Sequence, residues 1–235
     1  LELITSWVME VAKVPVIVKL SPNVSHIEDP AIAAKLGGAN AVSLINTIQS
    51  IIGVDIDNFV PYPTVDGKST NGGYCGPAVK PIALNMVKNV AKIPDYNLPI
   101  SGIGGIENWR DAVEFILMGA TNVQVCTAVM HYGFGIIREM VSGLEQFMSD
   151  KGFNSINEMI GKALPNVRKW ENLNLKYKII AEIDDKKCIG CQLCYIACED
   201  GAHQAIKLQE NGESRIPQII DENCVGCNLC SLVCP

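Results

Sequence analysis

At 235 residues the chain is long enough for one large domain or two modest ones. Hydrophobic residues make up 48% and charged residues 19%, which fits a soluble globular interior under a low-charge surface. No run of about 18 uncharged apolar residues occurs, so no membrane-spanning helix is expected. A net charge of −6 without a basic stripe argues against nucleic acid as the main partner. The chain starts at Leu1 rather than Met and stops at Cys234-Pro235, from which a fragment cut at both ends is expected.

The first 150 residues alternate strand and helix. Residues 14–20 are a β-branched apolar run, predicted as a buried parallel strand that Pro22 and Asn23 end. A helix is predicted from Asp29-Pro30 through Leu36, with Asp29 as N-cap and Gly37-Gly38 as the stop. Residues 39–45 are the next predicted strand. The stretch from about Gln49 to Gly76, rich in Gly, Pro, Asn and Asp, is too long for an ordinary βα loop and reads as a lid or binding loop. A helix over 77–91, a strand over 98–103, an amphipathic helix over 108–118, a strand over 121–126 and a helix over 135–148 follow. Residues 151–178 read as a helical connector with one short helix over 155–163, ended by Pro165. Residues 178–183 are predicted as a short strand, and 205–208 with 217–220 as a hairpin.

Regular βα steps imply a parallel sheet, which both a doubly wound sheet and a (β/α)8 barrel supply. Each predicted strand ends in its own polar set: Lys19 and Ser21, Asn46-Thr47, Gly102 to Gly105, Cys126-Thr127. Chemistry gathered at the C-terminal ends of successive strands is how barrels build sites. The expected fold is therefore α/β: the C-terminal half of a (β/α)8 TIM barrel over 1–150, then the connector. A small α+β ferredoxin-like domain over 179–235 completes it. Four strands make half a barrel, and the other half is expected before Leu1.

That last domain is read from its cysteines. Eight of ten fall in two runs, Cys188-x2-Cys191-x2-Cys194-x3-Cys198 and Cys224-x2-Cys227-x2-Cys230-x3-Cys234, with Pro235 behind the second. This is the spacing of a bacterial ferredoxin with two [4Fe–4S] clusters, where the fourth Cys of each run ligates the other cluster. Cys188, Cys191, Cys194 and Cys234 are assigned to one cluster, and Cys224, Cys227, Cys230 and Cys198 to the other. Structural zinc suits four cysteines within eleven residues poorly. A disulfide framework would need an oxidising compartment, for which no signal peptide speaks.

The strand ends leave alternatives open. Ser101-Gly-Ile-Gly-Gly-Ile-Glu107 is not a dinucleotide fingerprint, because the third glycine position is Glu107. Its Gly-Gly turn could cradle a phosphate together with Cys126 and Thr127, or serve packing alone. Lys19 is either a surface lysine or a cation beside the N1–C2 edge of a flavin, and is expected to be half-buried. Asn46 and Thr47 could pair with a small heterocycle or cap a turn. His26, His131 and His203 share no metal spacing, and Cys75 reads as an ordinary loop thiol.

Taken in order, Val18-Lys-Leu-Ser-Pro-Asn23, Ile45-Asn-Thr47, Gly72-Gly73, Pro81-Ile-Ala-Leu84, Ser101-Gly-Ile-Gly-Gly-Ile106 and Gln124-Val-Cys-Thr127 resemble the FMN barrel of the dihydropyrimidine dehydrogenase family. Dihydroorotate dehydrogenase is a relative. The run from Cys188 to Gly201, continuing to His203-Gln-Ala-Ile206, is similar to the ferredoxin domain fused behind that barrel. The resemblance implies that Lys19 contacts the FMN ring and that Asn46 and Thr47 contact the pyrimidine. Gly73, Gly104, Gly105, Cys126 and Thr127 would hold the ribityl phosphate region. The family's general acid, a loop Cys, belongs to the upstream half, and Cys75 does not take its place. Electrons from NAD(P)H would enter through a separate FAD-bearing subunit, cross the two [4Fe–4S] clusters singly and reach FMN. Uracil or thymine would then be reduced to the 5,6-dihydropyrimidine, or formed in reverse. A cytoplasmic, oligomeric enzyme without a membrane or nucleic-acid partner is implied. The competing readings are a dihydroorotate dehydrogenase-like enzyme and a non-catalytic ferredoxin-type electron-transfer module.

Overall fold

A computed structural model describes residues 1–174, 176–201, 203–211 and 214–235. Leu175 of the predicted connector, and Ala202, Gly212 and Glu213 of the predicted cysteine domain, lie outside the described residues. The chain divides into two compact units, Leu1–Val167 and Arg168–Pro235.

In the first unit, helix α1 (Glu2–Val11) leads to β1 (Ile17–Lys19), α2 (Glu28–Leu36) and β2 (Ala41–Leu44). Four short strands come next: β3 (Ile48–Ser50), β4 (Gly53–Asp55), β5 (Val60–Tyr62) and β6 (Gly72–Tyr74). One 3₁₀ turn (Pro77–Val79) precedes α3 (Lys80–Ala91), β7 (Ile100–Ile103), α4 (Trp109–Leu117), β8 (Asn122–Gln124), α5 (Thr127–Tyr132) and α6 (Gly135–Lys151). Strands β1, β2, β7 and β8 form one parallel sheet in chain order. Parallel strands must be joined by a crossover, and α2, α3 and α4 supply it.

The sheet's core side is apolar. Val42 and Leu44 of β2 and Ile100 of β7 are buried against Val87 and Val90 of α3 and Phe115 of α4. Gly102 is where the Phe115 ring meets β7: a Cβ there would stand 2.6 Å from Phe115 Cδ1. The strand thus gives up a side chain to admit a ring. α4 starts where the sequence predicts, because Asn108 accepts from the N–H groups of Arg110 and Asp111 while Asp111 caps in return.

Several expectations are corrected. Asp29 is not an N-cap; α2 begins at Glu28, and both acids sit in its first turn, where they complement the helix dipole. The stretch from 49 to 76 is not a plain loop, for β3 pairs antiparallel with β6 and β4 with β5, one hairpin nested in the other. The predicted short helix over 155–163 is instead a 3₁₀ turn (Ile156–Glu158) followed by irregular turns, and Pro165 lies within a second one (Leu164–Asn166). Helices α1 and α5 were not foreseen.

The second unit holds a 3₁₀ turn (Trp170–Asn172), α7 (Leu193–Asp200), β9 (Ile206–Asn211), β10 (Ser214–Ile219) and α8 (Leu229–Leu232). β9 and β10 form the expected hairpin, with Leu208 opposite Pro217. The predicted strand over 178–183 is irregular chain that joins no sheet. It is tied down by side-chain and thiol contacts instead: Lys178 Nζ donates to Asp221 O at 2.6 Å, and Ala181 N–H to Cys224 Sγ at 3.4 Å.

Phe115 is fully buried at the junction of β7 and α4. Phe115→Ala should therefore cost about 3–5 kcal/mol of unfolding free energy, read as a lower urea midpoint at an unchanged slope.

Candidate functional site

The C-terminal ends of β1, β2, β7 and β8 open into one cleft of about 120 Å³. Lys19, Asn46, Thr47, Gly104, Gly105, Cys126 and Thr127, seven of the eight cleft residues proposed from sequence, line it. The eighth, Gly73, stands behind Thr47, where a Cβ would collide with the threonine's Oγ1. Lys19 is exposed rather than half-buried, because β1 is an edge strand of this sheet.

Backbone bonds past the formal strand ends fix the rim. Ile45 N–H donates to Ile103 O at 2.8 Å, and Asn46 N–H to Leu20 O at 3.0 Å. Asn23 completes the bracing. Its Nδ2 donates to Thr47 O (3.1 Å), and its Oδ1 accepts from Gln49 N–H (2.9 Å). The nested hairpins return Tyr74, Cys75 and Gly76 to the same wall. Thr127 Oγ1 donates to Cys75 Sγ at 3.4 Å, so this thiol sits at the cleft although nothing in the sequence spacing marks it.

Behind the Gly-Gly turn lies a charged hub that sequence reasoning missed. Asp111, nearly buried, accepts from Lys80 Nζ (2.6 Å), Glu107 N–H (2.9 Å), Asn108 N–H (3.1 Å) and Asn108 Nδ2 (2.8 Å). Lys80 also pairs with Glu114 at 3.0 Å. The lysine's pKa is held above its ordinary range, chiefly by the bond to Asp111; burial opposes this and Glu114 adds to it. Gly105, at φ +75°, packs so tightly on this hub that a Cβ would lie 2.9 Å from Lys80 N and 2.8 Å from Gly76 O. The capping box consumes amides from Glu107 onward, so those of Gly104 and Gly105 remain for a ligand.

The second unit contains a separate cavity of about 810 Å³ lined by all eight cysteines of the two runs. Each run repeats one local conformation. Gly190 and Gly226 have φ near +70°, and Gln192 and Asn228, also left-handed, precede α7 and α8. Cys194 and Cys230 consequently fall on the first turn of a helix. Burial pushes the Cys194 thiol above the ordinary cysteine range, with Cys191 and Cys188 adding to the effect against a bond from Tyr195 N–H. Cys230 is raised likewise by burial. Backbone N–H groups already aim at two sulfurs, Ala181 at Cys224 and Ala205 at Cys198 (3.2 Å). This donor set, spread around a large cavity, fits iron–sulfur clusters.

Residues 1–148 match dihydroorotate dehydrogenase, and residues 181–235 match the 4Fe-4S dicluster domain. The chain belongs to the dihydroorotate dehydrogenase family. It is 44% identical over 204 residues to the NAD-dependent dihydropyrimidine dehydrogenase subunit PreA of Escherichia coli, covering 86% of this chain and 49% of that protein. It is 41% identical over 168 residues to the chloroplastic dihydropyrimidine dehydrogenase (NADP(+)) of Arabidopsis thaliana, covering 70% and 39%. It is 46% identical over 157 residues to the catalytic subunit of dihydroorotate dehydrogenase B (NAD(+)) of Pyrococcus horikoshii, covering 67% and 50%. The chain thus spans at most about half the length of these relatives. The dicluster match and the cysteine cavity together establish iron–sulfur chemistry as the business of the second unit.

Asp111→Ala would remove one of the two carboxylates on Lys80 and leave several amides without their acceptor, and should cost about 2–4 kcal/mol in urea unfolding. The sign of the pH effect follows from the raised lysine pKa. Its stabilisation is complete below the ordinary lysine value and is lost as pH climbs through the raised one. The stability gap between wild type and Asp111→Ala should therefore narrow in strongly alkaline buffer; a constant gap would refute the coupling.

Proposed function

We propose that the chain is part of an NAD-dependent dihydropyrimidine dehydrogenase that reduces uracil or thymine to the 5,6-dihydropyrimidine, or runs the reverse. Its assigned parts are the C-terminal half of an FMN-binding TIM barrel (1–150), a connector (151–178) and a domain carrying two [4Fe–4S] clusters (179–235). The observation that carries this reading is the length of the PreA similarity. It covers 204 residues, more than the dihydroorotate dehydrogenase region holds, and so extends into the cysteine unit. Strand order supports the barrel, since β1, β2, β7 and β8 are neighbours in chain order with no reversal, as barrel strands are.

When bound, FMN supplies hydride chemistry and converts between electron pairs and single electrons. The residues of the chain hold it. Lys19 places a fixed positive charge at the cleft, which favours the anionic reduced ring. Gly104 and Gly105 with Cys126 and Thr127 present backbone amides for its phosphate, and Gly73 makes room for Thr47. Asn46 and Thr47 supply an amide and a hydroxyl suited to the carbonyl and N–H edge of a pyrimidine. The cleft is well below the few hundred Å³ of a complete ligand pocket. We therefore assign the remaining contacts, and the cysteine general acid, to the other half of the barrel. Cys188, Cys191, Cys194 and Cys234 are assigned to one cluster, and Cys224, Cys227, Cys230 and Cys198 to the other. NAD(P)H and FAD are assigned to a partner subunit.

A second reading, oxidation of dihydroorotate, is favoured by the 46% identity to the Pyrococcus catalytic subunit. A substrate panel on the full-length protein separates the two. Turnover with uracil or thymine and none with orotate is expected, together with FMN and about eight irons per chain. Clusters without flavin would defeat both readings. Lys19→Met should lower the flavin midpoint potential by weakening the reduced form; an unchanged potential would remove Lys19 from the ring.

A further inference from the structure

We propose that Gln124 is a cofactor-contacting residue whose side-chain carbonyl, aimed by two buried serines, accepts a hydrogen bond from a ribityl hydroxyl of FMN. This rests on the flavin reading of the cleft. The argument starts from strand register. Lys19 pairs with Ser43, Ser43 with Ser101, and Ser101 with Asn122, so one residue from each of the four strands lies in a row on one face of the sheet. Gln124, two positions beyond Asn122, shares that face and stands one step nearer the strand ends. It lines the cleft.

Its amide has only one orientation. Nε2 donates to Ser43 Oγ at 2.9 Å and to Ser101 Oγ at 2.8 Å, and those bonds use both of its hydrogens. The Ser101 hydroxyl donates its single proton to Asn122 Oδ1, so toward Gln124 it can only accept. The amide nitrogen is therefore held down on the sheet, and the carbonyl points away from it. Oε1 accepts no hydrogen bond from any described residue. It is not sealed in the interior either, the one such side-chain atom among the described residues being Glu28 Oε2. Two hydroxyl residues at 2% and 3% exposure are an expensive floor for a sheet whose other buried side chains are Val42, Leu44 and Ile100. Orienting this amide accounts for both.

The position selects the donor. Gln124 lines the same cleft as Lys19, assigned to the ring, and stands two residues before Cys126, assigned with Thr127 to the phosphate. What joins ring to phosphate in FMN is a chain of hydroxyls, each able to donate to a carbonyl.

The test is a cycle on the full-length apoprotein, titrated by flavin fluorescence with FMN and its 2′-, 3′- and 4′-deoxyribityl analogues. Gln124→Leu should weaken FMN about tenfold, the scale of one ordinary hydrogen bond, and have no effect with one of the three analogues. A purely structural role predicts the same penalty with every ligand, and that result overturns the proposal. The double variant Ser43→Ala/Ser101→Ala keeps the acceptor but frees the amide, so a smaller loss of about threefold is expected, again absent with the same analogue. If Gln124→Leu does not fold, this double variant runs the cycle, and ligand-independent penalties overturn the proposal equally. Wild-type protein that binds no FMN overturns the flavin reading and this assignment with it. Wild type that binds FMN while Gln124→Leu is unaffected overturns only the assignment.

Discussion

The organisation of the first unit follows from one constraint: four strands run parallel and pair in chain order. Parallel pairing brings residues of equal height onto the same face and sends every strand end to the same edge. Val42 thus meets Ile100 on the core side, while Lys19, Ser43, Ser101 and Asn122 line up on the other. Each crossover helix must also return to the opposite edge, which leaves the C-terminal edge to loops. Glycines appear where those loops crowd the helices, as at Gly105 against Lys80 and Gly102 against Phe115. The cleft is a consequence of this arrangement and needs no element of its own.

The second unit is held together on different terms. Among its described residues only Ala205, Ile206 and Cys224 are buried apolar side chains, whereas Ile189 and Val225, inside the cysteine runs, are exposed at 75% and 57%. So small an apolar interior cannot offset the entropy of ordering the chain. The cavity lined by eight thiols stands where a core would be. Bonds from iron to sulfur are what such a unit has in place of packing. The left-handed Gln192 and Asn228 are consistent with that: an unfavourable backbone conformation, used twice at the same point of the repeat, is kept because it places the next cysteine on a helix.

Much of this was legible in the sequence, for reasons that can be named. The strands and α4 were readable because β-branched runs and an amphipathic period ended by Gly119 are local signals. Cysteine spacing was readable because metal ligation acts through short loops. The nested hairpins were not, since their strands are three residues long and pair across a gap that no local pattern announces. Helix α1 was missed although Leu3, Ile4, Trp7, Val8 and Val11 recur at helical spacing; in the structure that apolar stripe is exposed. In the cleft, the residues ending each strand were named correctly as neighbours, since parallel order alone brings them together. The Lys80–Asp111 pair and the bonds from Gln124 to Ser43 and Ser101 were overlooked because their partners lie 23 to 81 residues apart. Helix packing makes the first and strand register the others, and neither shows in local spacing.

Asp111 also constrains how an anion could be held beside it. A carboxylate so near the Gly104–Gly105 turn would repel a phosphate, yet Asp111 cannot be spared, because it fixes the turn through Glu107 and Asn108. Lys80 resolves the conflict by neutralising Asp111, and its second contact, to Glu114, leaves it committed to carboxylates. Lys80 is therefore a counter-ion to the scaffold, and on the flavin reading it would not be a ligand for the phosphate. On the flavin reading, attraction at the turn would come from uncharged donors, the amides of Gly104 and Gly105, since the Thr127 hydroxyl already donates to Cys75. Dipoles held in place by that ion pair would bind an anion by geometry, and geometry is what the glycines and the capping box preserve.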